Sequence, residues 1–279
     1  MAEFYHKNIP ILDVDHPDDS TTDMLHPKGA AFGLVERDYD EDPESMFDPP
    51  GDMVLFDESD YDALYDQQEE QKSSLEHVYL SGPNGTPAFT CLDQDGHGYC
   101  WSYSVGTSMM IDYLKRGITP VRMNPHSVAA IIKRGRDEGG WCGLSAEFVT
   151  SHGMAPEGNG PNQWPLHSRD LRNDTLAVRT EMAKFKIMEQ WTDLTRQVYD
   201  RNLTARQVAT SGFNNLPGPR DYNWWRHSVC GLRWVRIERN SWGQLILNSW
   251  KGWGRYGLAV LRGSQAVCNG GLSLRLMST

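Results

Sequence analysis

The stretch that most limits how this chain can fold is Leu92-Asp93-Gln94-Asp95-Gly96-His97-Gly98-Tyr99-Cys100-Trp101-Ser102. Gly96 and Gly98 permit a tight turn. Directly after it, Val105, Met109, Met110 or Ile111, and Leu114 recur at helical spacing, which predicts a helix over 101–115. A cysteine at the mouth of a helix meets unpaired backbone N–H groups and the positive end of the helix dipole. Both favour the thiolate, which is the nucleophilic form. The same turn allows the Gln94 side-chain amide to come beside the Cys100 N–H. Two donors converging on one point are what the oxyanion of an acyl transfer requires.

Charge divides the chain. Residues 1–78 hold 22 Asp and Glu against 4 Lys and Arg, a balance of −18, whereas residues 79–279 hold 15 against 23, a balance of +8. The first part is also punctuated by proline and poor in periodic apolar residues, so by itself it cannot bury enough surface to offset its ordering entropy. The expectation is an extended, low-complexity acidic arm over 1–78 and one folded domain over 79–279. Phe4, Tyr5, Phe32, Phe47, Phe56, Tyr61 and Tyr65 are spaced as anchors by which the arm docks, on its own basic domain, a copy of itself or another protein.

No apolar run reaches the ~18 residues of a membrane span, and the N-terminus lacks the basic-then-apolar pattern of a secretory signal. The five cysteines, Cys91, Cys100, Cys142, Cys230 and Cys268, are scattered and form no CxxC. With no HExxH either, no metal or other cofactor is expected. The cysteine usage suggests a reducing, cytoplasmic setting without structural disulfides. Basic residues do not form a stripe interleaved with aromatics, so nucleic acid is not favoured as a partner.

Further along, a short helix is expected within 120–138 and another over 145–152, stopped by Gly153. Between them stands Gly139-Gly140-Trp141, a tight turn on its own evidence. Val178, Met182, Phe185, Met188 or Glu189, Trp191 and Leu194 suggest one long core helix over 173–199. Residues 211–222 read as a loop rich in Gly, Pro and Asn. A hairpin follows: a strand opening at His227 and running over 228–237 with a slip at Leu232, a turn over 238–243, and a returning strand over 244–250. Residues 258–262 read as the last strand.

Gln94, five residues, Cys100 and Trp101 together resemble the nucleophile segment of papain-family cysteine peptidases. In that family the other catalytic residues, His and Asn, stand roughly 130–150 positions downstream. Here His227 lies 127 and Asn248 lies 148 positions past Cys100. Asn248-Ser249-Trp250 and Gly252-Trp253-Gly254 continue the resemblance. Asn240-Ser241-Trp242-Gly243 also matches the Asn-Ser-Trp-Gly signature, but it falls at the hairpin turn, so Asn248 is preferred.

The resemblance implies an α+β, two-lobed papain-like fold, with a helical lobe carrying the nucleophile and an antiparallel sheet lobe carrying His227 and Asn248. It implies a Cys100–His227–Asn248 triad with Gln94 as oxyanion donor, Trp250 as a shield, and Gly139, Gly140 and Trp141 as a wall that pairs with extended peptide. The implied activity is hydrolysis of peptide bonds in a protein or peptide substrate. His97 and Asp137 stand where the family usually has a cystine and are candidates for an ion pair. Tyr99 is a candidate for narrowing the cleft. The competing expectation is an assembly component, for example of a virus particle, that uses the domain as scaffold and its acidic arm to bind neighbours.

Overall fold

The hairpin beginning at His227 is the middle of the molecule. The computed structural model describes residues 3–5, 8–38, 54–187, 190–194, 203–250 and 253–275. Phe47 and the acidic run beyond Asp38 lie outside these, as do Met188, Glu189 and Gly252. Among the described residues the strands are β1 (Glu3–Tyr5), β2 (Ile9–Asp13), β3 (Gln190–Asp193), β4 (Gly218–Tyr222), β5 (His227–Glu238), β6 (Ser241–Leu247), β7 (Leu258–Arg262) and β8 (Gly270–Arg275). They form one sheet in the order β1-β2-β7-β6-β5-β4-β8-β3. Every pairing is antiparallel except that of β2 with β7.

The helices are α1 (Asp19–Leu25), α2 (Tyr61–Gln71), α3 (Leu75–Tyr79), α4 (Cys100–Lys115), α5 (His126–Ile132), α6 (Cys142–Ser151), α7 (Leu176–Met182) and α8 (Ala205–Phe213). Two cores result. One packs α2, α3 and α8 against the sheet around Trp225, Leu232, Val235, Ile246 and Val260. The other gathers α4, α5 and α6 with Trp191 of β3 and Leu272 of β8.

Helix α4 lies between the cores and is buried from Cys100 through Asp112. Its small polar residues let it approach β5 closely, with the Ser104 and Ser228 hydroxyls 2.8 Å apart. At Gly106 an added Cβ would stand 2.9 Å from Pro125, so a larger residue would push the chain before α5 away. Gly117, at φ +72°, allows the chain to turn off after the helix. The slip at Leu232 is a register shift between Gly231 and Arg233 in the β5–β6 ladder.

Three sequence expectations are corrected. The described parts of the first 78 residues are not a separate arm. β2 is an interior strand of the sheet, and α1, α2 and α3 pack on the same core. The physical reason is local compensation of the acid: Arg262 meets Asp13, Arg206 meets Asp57, and Arg236 meets both Asp62 and Asp66. Phe56, Tyr61 and Tyr65 do serve as anchors, packing against Phe213 and Trp242.

Second, the helix expected over 173–199 is only α7. Trp191 leaves it and pairs across to Leu274 of β8, because sheet pairing outweighs the helical spacing. Third, the loop expected over 211–222 contains the end of α8 and all of β4, and β8 follows the strand taken as last. No helix among the described residues is long and apolar enough to cross a membrane. All five cysteines are free.

Candidate active site

Cys100 is the first residue of α4 and is fully buried. His227 is the first residue of β5, and Asn248 directly follows β6, so the hairpin returns the asparagine to the histidine as its pattern predicts. The His227 Nε2 and Asn248 Oδ1 atoms are 2.9 Å apart. The Ser249 N–H donates to the same Oδ1 at 2.7 Å, which fixes which end of the amide faces the ring. An oxygen there makes Nε2 the protonated nitrogen and Nδ1 the basic one. Nδ1 is buried and has no hydrogen-bond partner among the described residues. Asn240 occupies the hairpin turn at φ 63°, remote from the start of β5.

Trp250 stacks on the His227 ring with centroids 4.0 Å apart and planes 25° apart. Trp225 meets the same ring edge-on at 4.8 Å. The histidine–asparagine bond is therefore walled from water on two sides. Trp225 was not singled out in the sequence. It sits two residues before His227 and offers no signal beyond its size.

Gln94 is fully buried, its N–H bonded to the Ser249 carbonyl and its Oε1 accepting from the Ser249 hydroxyl. These contacts turn the Nε2 donor outward. It donates to the His97 carbonyl at 2.8 Å and, at 3.3 Å, to the carbonyl of Ala31. A donor expected to hold a substrate-derived oxygen thus holds one from the chain's own N-terminal part.

Residues 31–37 lie across the site. The backbones of Gly33 and Ser228 lie close enough to the Cys100 sulfur to favour its charged form. Gly140 N–H donates to the Gly33 carbonyl at 2.9 Å, and Val35 N–H donates to the Gly140 carbonyl at 3.0 Å. Phe32 meets Trp250 edge-on at 5.6 Å. Arg37 lays its guanidinium 4.6 Å above the Trp141 ring and bonds Asp193 at 2.6 Å. Gly140 and Trp141, expected as parts of a peptide-binding wall, meet this internal segment. Glycine is needed there: a Cβ at Gly139 would stand 2.5 Å from the Gly33 carbonyl oxygen. The sequence pointed to Phe32 as an anchor, but Arg37 and Asp193 carried no signal except that Arg37 is a rare cation in an acidic run.

Covering the site suppresses its charges. Burial pushes the Cys100 thiol up to about 12, against the lowering effect of the nearby backbone groups and with the buried Asp221 carboxylate adding to the rise. Burial pulls His227 down to about 3, opposed by its bond to Asn248. In this state the pair is a thiol and a neutral imidazole, not the ion pair that papain-type chemistry implies, because neither charge can reach water.

Two further expectations are corrected. His97 turns Nδ1 toward the Gln94 carbonyl, and Asp137 instead accepts the Gly98 N–H at 2.8 Å, tying the nucleophile turn to the segment before Gly139. Tyr99 does not face the cleft. It is buried with its hydroxyl on the Arg136 carbonyl, where it packs beside His97, Trp101 and His126.

No protein-family profile matches the sequence, and no curated protein matches it. Solved structures do match. Xylellain, a cysteine protease from Xylella fastidiosa, aligns over 90% of this chain and 98% of its own at 12% identity and a TM-score of 0.59. A recombinant stem bromelain precursor aligns over 93% and 87% at 16% identity and a TM-score of 0.53. The digestive procathepsin L2 proteinase of Tenebrio molitor larval midgut aligns over 91% and 79% at 12% identity and a TM-score of 0.50. The chain therefore has the papain-like cysteine protease fold.

Proposed function

We propose that the protein is a papain-type cysteine peptidase whose site is held latent by residues 31–37. The observation that carries this reading is the His227–Asn248 bond, which leaves a buried, basic Nδ1 without a partner among the described residues, one position before Ser228, whose backbone lies near the sulfur of Cys100 at a helix N-terminus. When a peptide replaces the cover, Nδ1 takes the Cys100 thiol proton and the sulfur attacks the substrate carbonyl carbon. The oxyanion is held by the Gln94 amide and the Cys100 N–H, a contribution of about 3 kcal/mol per donor. As the tetrahedral intermediate collapses, His227 returns the proton to the leaving amine. Water then attacks the thioester with the imidazole as base, releasing the acid and restoring the thiol.

The bound segment itself meets a buried, neutral thiol, which is not the nucleophilic form, so it lies over the sulfur without being attacked. That xylellain is a cysteine protease, and that the bromelain match is a precursor, supports both parts of the reading. The assembly alternative rested on an acidic arm seeking a neighbour; of that acid, Asp13, Asp57, Asp62 and Asp66 meet basic residues of the same chain.

The test is intact mass after incubation with a thiol-directed peptidyl epoxide. Deleting residues 1–78 would strip β2 from the sheet, so the site is better opened by Gly33→Ala in the full chain. One adduct on Gly33→Ala and none on Gly33→Ala/Cys100→Ala is expected. An opened site that iodoacetamide modifies but the epoxide does not would remove the peptidase reading.

A further inference from the structure

Arg37 is the one residue of the cover whose side chain fills a pocket of opposite charge. Its side chain is 8% exposed, and that of Asp193 beneath it is 1% exposed. Trp141 supplies an aromatic face to the guanidinium, and a cavity beside it is lined by Glu36 and Arg37 of the cover with Asp221, Asn223, Gly270 and Gly271. This pocket belongs to the same cleft. Trp141 follows Gly140, which pairs with the cover at Leu34. Asp221 accepts from the Ser228 hydroxyl at 2.5 Å, and Ser228 is next to His227.

We infer that this pocket sets the enzyme's specificity, selecting polypeptides that present an arginine, and less well a lysine, to Asp193 and Trp141. The inference rests on the peptidase reading above. Arg37 then shows what the pocket takes, since the cover uses contacts that a substrate would use: backbone to Gly140, a carbonyl to Gln94, and one side chain into the wall. Arginine fits better than lysine, because a planar guanidinium both stacks on the indole and bonds the carboxylate.

The experiment uses the full-length double variant Gly33→Ala/Arg37→Ala, which lifts the cover and empties the pocket. Three peptidyl epoxides differing only in the side chain presented to Asp193 and Trp141 (arginyl, lysyl or leucyl) are compared by the rate of adduct formation at Cys100. The arginyl probe should react at least about tenfold faster than the leucyl one, with the lysyl probe between them. Adding Asp193→Asn should remove that preference while leucyl adduct still forms. If Asp193→Asn fails to fold, Trp141→Leu takes its place and should abolish the advantage of arginyl over lysyl. Equal rates for the three probes, or a preference that survives the substitution, overturn the specificity inference alone. Failure of all three on a chain that iodoacetamide still modifies removes the peptidase reading and the inference with it.

Discussion

Two aromatic-bearing segments of the first 79 residues are held by the same basic domain in different ways. The later one, α2 and α3, sits over Arg233 of β5. Arg233 is fully buried and bonds the Gln68 side chain, Glu69 and the equally buried Glu76, with its guanidinium 4.2 Å over Tyr65. Tyr65 in turn shares a hydrogen bond with Tyr5 at 2.6 Å. The earlier one, residues 31–37, contributes few side chains to a core. It is held by groups of the cleft: Gln94, Gly140, Trp250 and the pocket of Asp193. Another peptide could make those bonds. A charged segment docked through buried side chains is part of the fold, whereas one docked through a cleft's recognition groups is a removable occupant.

The largest effect expected from that difference is on stability. Arg233→Ala should leave Glu76 buried without its cation and destabilise the protein by about 3–5 kcal/mol in urea unfolding. Arg37→Ala breaks an ion pair of similar burial, yet the cover can lift and let water reach Asp193, so the loss should stay near ~1 kcal/mol. Equal losses for the two would break the comparison and make residues 31–37 as much a part of the core as α2.

Next comes Gly33→Ala. Its Cβ would stand 1.9 Å from the Gly98 carbonyl oxygen, with backbone on both sides and nothing flexible to yield. Relief requires moving the cover off the cleft, at a cost of about 1–3 kcal/mol to the covered state. The epoxide should then label Cys100 about tenfold faster or more than in the wild type, with the stability in urea lowered by no more than that cost. A lower midpoint with no gain in labelling would mean that the segment is not a lid on the site.

How much of this was legible follows from the distance over which each piece is specified. The turn before Cys100, its helix, and the hairpin that returns Asn248 to His227 are set by residues near each other in sequence, and each left a local pattern. The slip at Leu232 was visible for the same reason. The first 78 residues read as disorder because their partners, Arg206, Arg233, Arg236 and Arg262, lie more than a hundred positions away, and composition does not record who compensates whom. β3 was hidden by a coincidence, since Trp191 and Leu194 continue the spacing of Val178 and Met182 although the chain has already left the helix. α8 was legible and passed over: Thr204 and Gln207 form a capping box at its start.

The smallest predicted effect separates the two segments by pH and also tests whether Cys100 and His227 exchange a proton. Under the cover His227 is held down at about 3, against 6.5 when solvated. A depressed histidine stabilises the covered state fully above 6.5, and that stabilisation is lost as pH falls from there toward 3. In Cys100→Ala the imidazole stands alone. Lowering the pH by one unit below 6.5 should therefore favour opening by about tenfold, or ~1.4 kcal/mol. The readout is exchange of the Val35 and Gly140 amide hydrogens, corrected for the intrinsic rate, with the Arg233 network of α2 as the internal reference. In the wild type the uncovered imidazole can take its proton from the thiol instead of from solvent. Opening then binds no net proton, and protection should be flatter with pH than in the variant. A wild type as steep as Cys100→Ala would mean that the two side chains titrate independently. Protection unchanged from pH 7 to 5 in Cys100→Ala would mean that residues 31–37 do not control the histidine's access to water.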